Sequence, residues 1–158
     1  MPGTDPDIAM QINAGSPLPV AIRARTLSGD LDVSMRGFEY ASADEAVAAG
    51  QSVLGQGVCL YGAEGFDVPG RPELVGSVVE GPIPATAFVG FRMGQRRFTV
   101  SVVADANPDT GSVSDEALEA ARVLAGTIAG MELDAARTAP GLVEPQVGGG
   151  PATTIPAN

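Results

Sequence analysis

Residues 86–104 read TAFVGFRMGQRRFTVSVVA, and this stretch decides the fold. Two arms, Thr86 to Arg92 and Arg96 to Ala104, flank the joint Met93-Gly94-Gln95. In the second arm Phe98, Val100, Val102 and Ala104 fall on one side at a period of two, as a half-buried strand requires. A glycine in a short joint between two such runs marks a hairpin. After the turn-rich segment from Asp105 to Ser112, the strongest helix of the chain is predicted from Ser114 to about Leu133. Asp115, Glu116 and Glu119 sit in its first turns, where the helix dipole favours anions. Leu118, Ala121, Leu124, Ala125, Ile128 and Met131 form its apolar stripe, with Leu124 as the expected centre of the core.

Working back from the hairpin, Leu74 to Val79 reads as a strand stopped by Gly81-Pro82-Ile83-Pro84, and Gly62 to Pro72 reads as a loop. Val58 to Tyr61 reads as a short strand that buries Cys59 as a small hydrophobe. Ser42-Ala43-Asp44-Glu45 has the spacing of a capping box, so a helix is predicted to begin there and to end at Gly55 and Gly57. Nearer the N-terminus, Val20, Ile22, Ala24 and Thr26 alternate with Ala21, Arg23, Arg25 and Leu27, and Ser28-Gly29 is the expected turn into a return strand carrying Leu31, Val33 and Met35. The expected fold is therefore α+β: an antiparallel sheet of about six strands packed by two helices, in a single domain over residues 17–138. Residues 1–16, with Pro2, Gly3, Pro6 and Gly15, read as a flexible N-terminal arm, and residues 139–158 as a Gly/Pro-rich tail. Asp44-Glu45-Ala46 and Asp115-Glu116-Ala117 each follow a hairpin, so the chain can be read either as two ββα repeats or as two unrelated capped helices.

Composition narrows the function. The apolar fraction of 44% supports a packed fold, but aromatic residues are only 4%, so the core has to come from Val, Ala, Leu and Ile. Nineteen acidic residues face nine basic ones, all of them Arg, for a net charge of −10. Such a surface repels phosphate and anionic lipid, which argues against nucleic acid as a partner. The absence of His removes Ser-His-Asp and Cys-His catalysis and imidazole metal sites. One cysteine makes neither an internal disulfide nor a thiolate cage. No run approaches the ~20 apolar residues of a membrane helix, so no membrane insertion is expected. The stretch from Met1 to Gln11 carries Asp5 and Asp7 where a signal peptide has basic residues, so a cytoplasmic or virion location is expected, unless an export signal has been removed.

Few residues stand out as a site. Arg92, Arg96 and Arg97 make the one dense basic spot, at the hairpin tip. They either receive a carboxylate-rich or phosphate-bearing partner, by the bidentate geometry of Arg, or simply keep the hairpin from aggregating. Arg23 and Arg25 face Asp30 and Asp32 across the first turn, as ordinary cross-strand pairs. Residues 50–57, GQSVLGQG, lack the lysine of a phosphate loop. Asp105, Asn107, Asp109 and Thr110 resemble half of a calcium loop, but the sixth position is Thr110 instead of glycine. No catalytic, cofactor-binding or metal-binding residue is assigned. The acidic pairs Asp44-Glu45 and Asp115-Glu116 occupy helix starts, which capping and dipole already explain.

The order hairpin, helix, strand, strand, hairpin, long helix resembles the PsbP-like and DcrB-like superfamily. The resemblance is carried by Ala87 to Met131, where Phe98-Thr99-Val100-Ser101-Val102-Val103-Ala104 leads to Asp115-Glu116-Ala117-Leu118. It implies a non-catalytic binding, chaperone or adaptor role and transfers no site residue. Three functions stay open. The first is a non-enzymatic protein-interaction subunit of a repetitive assembly of the virion or secretion-particle type, pairing with itself or other subunits through its arms. The second is a stand-alone binding, chaperone or sensor domain with an exposed apolar groove beside the last helix and hairpin. The third is a carboxylate-based enzyme.

Overall fold

The fold was obtained as a computed structural model that describes residues 15–18, 22–25, 31–81 and 84–138, with the backbone alone at residues 22–25 and 56. The arm up to residue 14, the Ser28-Gly29 turn with Asp30, Pro82-Ile83 and the tail from residue 139 lie outside the described residues. Among the described residues the elements are β1 (Ser16–Pro17), β2 (Ile22–Arg25), β3 (Leu31–Glu39), α1 (Ala43–Tyr61), β4 (Glu64–Phe66), β5 (Val75–Val79), β6 (Thr86–Met93), β7 (Arg96–Ala104) and α2 (Asp115–Thr138). The class is α+β. The strands make one antiparallel sheet in the order β1-β3-β7-β6-β5-β4, with β2 lying on the same edge of β3 as β1. The hairpin β6–β7 pairs from Thr86 opposite Val103 to Met93 opposite Arg96, so its turn is Gly94-Gln95. Arg25 is in register with Asp32, and Arg23 with Ser34.

Alternation along the strands gives the sheet two different faces. One carries Leu31, Val33 and Met35 of β3, Val89 and Phe91 of β6, and Val100 and Val102 of β7, all buried. Phe91 stacks on Phe98 there, with ring centroids 5.2 Å apart. Helix α2 covers this face with Leu118, Ala121, Ala125, Ala129 and Leu133. The helix is therefore turned from the expected orientation. Leu124 and Ile128 pack at the flank, Met131 is 66% exposed, and Leu133, 1% exposed, is the largest fully buried side chain of the helix. Size explains the rotation, because alanines along the contact line let the helix axis approach the valine-rich sheet while leucines fill the ends.

On its outer flank α2 is gripped by the loop between β4 and β5. Arg71 holds Asp134 through two hydrogen bonds of 2.8 and 2.9 Å and Glu73 through a third of 2.8 Å. Arg137 approaches Glu73 at 3.6 Å. The segment from Gly62 to Pro72, expected as a loop, also holds the short strand β4, which its Gly/Pro-rich sequence concealed.

Helix α1 departs furthest from expectation. It does not end at Gly55 or Gly57 but runs to Tyr61, so the segment expected to be a strand is its last turn and Cys59 is exposed. The stop comes at Gly62, whose φ of 64° is a left-handed cap; the amides of Gly62 and Ala63 return to the carbonyls of Val58 and Gly57. At the other end Ser42 Oγ accepts from the Glu45 amide at 3.1 Å, the Ser42 half of the expected capping box.

The two helices lie on opposite faces of the sheet. β3 and β7 are adjacent and antiparallel, so a repeat relating the two hairpin–helix units needs a two-fold axis normal to the sheet, and that axis keeps both helices on one face. The observed placement argues against a symmetric duplication.

Candidate functional site

The second face of the sheet is mixed in character. It presents Arg36 and Phe38 of β3, Arg97 and Thr99 of β7, Phe88 and Arg92 of β6, and Val75, Ser77 and Val79 of β5. Helix α1 lies over it but is anchored mainly at its start, where Ala46 and Ala49 bury against Tyr40 and Phe38. Beyond Gly50 it makes little contact with the sheet, leaving a half-open groove of about 580 Å³ between helix and strands.

The walls of this groove are apolar. Val47, Leu54 and Tyr61 come from the helix, and Val75, Val79 and Phe88 from the sheet. Several of them remain solvent-accessible; Val75 is 48% exposed. Just outside the lining, Val58 and Leu60 are exposed by 58% and 52%. Large apolar side chains clustered on one face in this way mark binding surfaces on folded proteins, and the volume suits a small-molecule or side-chain site. The groove expected from the sequence was beside the last helix and hairpin; this apolar groove lies against the other face of the hairpin, under the first helix. Sequence reading missed Val47, Leu54, Val75 and Phe88 because a helix predicted to end at Gly55 has no second half to hold away from the sheet.

The three arginines at the hairpin tip divide between the two faces. Arg96 lies on the α2 side, where its Nε donates to Glu39 Oε1 at 3.1 Å. Gln95 donates to the same oxygen, and these two donors hold the Glu39 carboxyl below the usual carboxylate range. Arg92 and Arg97 stand directly opposite one another on the α1 side, and both line the groove. Arg92 Nη1 donates to the Gly94 carbonyl at 2.7 Å. Arg97 is half-buried beneath α1, where a Cβ built on Gly50 would lie 3.1 Å from its Nε, so glycine at position 50 allows the helix to pass over the guanidinium.

The remaining candidates are accounted for locally. The Asn107 side-chain oxygen accepts from the amides of Asp109 and Thr110 at 2.8 and 3.3 Å, closing a turn within the segment that resembled a calcium loop. Among the described residues no group of three or more His, Cys, Asp or Glu converges on a common point. No described helix is long and apolar enough to cross a membrane. Compared with known families and with curated proteins, the sequence matches none.

Proposed function

We propose that the chain is a non-enzymatic binding domain that takes an apolar partner into the groove beneath α1. One observation carries the reading: a helix held at one end over a mixed sheet face, with large apolar side chains turned toward open space of about 580 Å³. Leaving those side chains in water forgoes about 25 cal/mol per Å2 of burial, which an apolar occupant recovers. The resemblance to the PsbP-like and DcrB-like superfamily points in the same direction. The reading as a subunit of a repetitive assembly rests on the two terminal arms, which lie outside the described residues except for Gly15 and Ser16 at the start of β1, so the groove favours the stand-alone domain. The acidic pairs Asp44-Glu45 and Asp115-Glu116 are exposed at two helix starts, which lends no support to carboxylate catalysis.

The test is a titration with a neutral solvatochromic dye such as Nile red. The expected result is saturable emission with one site per chain, abolished in Val75→Asp, whose exposed position lets the fold tolerate the change. Absence of binding, or equal binding by the variant, overturns the reading. A dimer in light scattering that Val75→Asp dissolves would put the assembly subunit in its place.

A further inference from the structure

Building on the groove reading, we infer that the occupant is a single-chain amphipathic carboxylate, with its alkyl chain along the apolar walls and its head on Arg97. The chain has twice as many acidic as basic residues, 19 against 9. Its arginines find carboxylates readily: Arg71 holds Asp134 and Glu73, Arg96 holds Glu39, Arg122 holds Glu119, and Arg137 approaches Glu73. Two arginines differ, Arg36 and Arg97: no described residue forms a hydrogen bond or ion pair with either, but Arg36 is exposed and outside the groove, whereas Arg97 is half-buried and lines it. Arg97 also faces a second arginine, Arg92, directly across the ladder on the same side of the sheet. Like charges placed opposite one another disfavour the pairing, and an anion between them reverses the sign of that interaction. The one carboxylate in the groove lining, Glu73, is taken up by Arg71 and Arg137. An unpaired cation at one end of an apolar groove is complementary to a carboxylate with a hydrocarbon tail.

The groove floor selects against an extended peptide. It is formed by β5, β6 and β7, whose backbone amides and carbonyls are engaged in the ladder. A peptide strand laid there would bring an N–H and a C=O per residue into an apolar setting with few partners. A hydrocarbon chain carries no such requirement.

The test uses the full chain and calorimetric titration with dodecanoate and dodecanol, each below its aggregation threshold at neutral pH. Dodecanoate is expected to bind one per chain and more tightly than dodecanol. Arg97→Gln is expected to weaken dodecanoate about 10- to 100-fold, the loss of a charge-assisted hydrogen bond, and to leave dodecanol unchanged. Gly50→Leu, which drives a side chain into the guanidinium, should weaken both. Equal affinity for acid and alcohol, or an Arg97→Gln variant that keeps full dodecanoate affinity, overturns the head-group assignment and leaves the groove reading standing. If neither compound binds, the groove reading falls with it. Circular dichroism on both variants separates lost binding from lost fold. A second copy occupying the groove, seen as a dimer that dodecanoate does not dissociate, also overturns the proposal.

Discussion

Truncating Leu133 to Ala should cost far more than truncating Leu124, although both are leucines of α2 and Leu124 lies closer to the middle of the helix. Leu133 is 1% exposed and belongs to the main core cluster, so its removal forfeits the full transfer energy of the deleted atoms and leaves a cavity beneath the sheet. For fully buried leucines the two contributions together come to about 2.7–5 kcal/mol. Leu124 is only partly buried at the flank, where water reaches part of the vacated space, so about 1–2 kcal/mol is expected. Met131→Ala, at a largely exposed position, should stay within about 0.5 kcal/mol. Against a total stability of roughly 5–15 kcal/mol, the Leu133 loss alone comes close to unfolding a domain at the lower end of that range. Urea denaturation reads the series, with a slope of about 1–1.5 kcal/mol per M for a domain of this size. The Leu133→Ala midpoint should then fall by roughly 2–5 M and the Leu124→Ala midpoint by about 1–2 M. An unchanged slope certifies that native stability, and not the denatured state, has moved. Should Leu124→Ala prove the costlier change, α2 faces the sheet with its other stripe and the packing described above is wrong.

Gly76→Ala should destabilise by about 1–3 kcal/mol, because the added Cβ would lie 2.7 Å from the Phe66 carbonyl oxygen on the paired strand, and backbone does not step aside as a flexible side chain does; thermal unfolding checks it, and an unchanged midpoint contradicts the β4–β5 register. Acid should loosen the loop that grips α2. Asp134 is held below the ordinary carboxylate range by Arg71, and Glu73 by its own backbone amide and then by Arg71, so their contribution is present above the unfolded values and fades as pH falls through the ordinary range toward the folded ones. Hydrogen exchange of residues 67–74 between neutral pH and about pH 3 reads this, and an Asp134→Asn variant that keeps the full pH response contradicts it. Cys59 should react with a thiol reagent in the native protein without denaturant, since it is exposed on α1; protection until unfolding would restore the buried strand read from the sequence.

What the sequence disclosed and what it hid follow from one physical difference. The β6–β7 hairpin and α2 were legible because each bears an apolar period, two for the strands and about 3.6 for the helix, and because each contributes one face to the main core. The start of α1 was legible through Ser42, whose hydroxyl has a single local purpose. Its end was not. Gly55 and Gly57 are common helix terminators, and Val-Cys-Leu-Tyr over residues 58–61 has high strand propensity. Neither signal registers that Gly62, with its left-handed φ, offers a better stop five residues later. The face of α2 was misread by about one helical position, because hydrophobicity alone ranks Leu124 above Ala125 whereas close approach to a sheet ranks them the other way. The arginine cluster was legible as a cluster, and strand alternation already sends Arg96 and Arg97 to opposite faces; that Arg97 and Arg92 line a groove was not legible, because it depends on how far α1 runs over the sheet.

The two sides of the sheet obey different rules, and the proposed function rests on that difference. On the α2 side local preference and packing agree: alanines meet valines, a leucine closes the end, and an arginine with two carboxylates pins the outer flank. On the α1 side they conflict. Gly50 is required by the guanidinium beneath it, but Gly55 lies inside a 19-residue helix at a cost of about 1 kcal/mol relative to Ala, and much of that helix's apolar surface stays in water. Only its first turns are anchored, by Ala46 and Ala49. A sequence under selection for stability alone removes such conflicts cheaply, since a Cβ at Gly55 meets nothing within 4 Å and alanine there would strengthen the helix. Where a local rule is broken without a compensating contact inside the molecule, the compensation is to be sought outside it. A loosely seated helix over an apolar groove with Arg97 at one end meets that description: under the function proposed above, the contact it lacks is the one an occupant supplies.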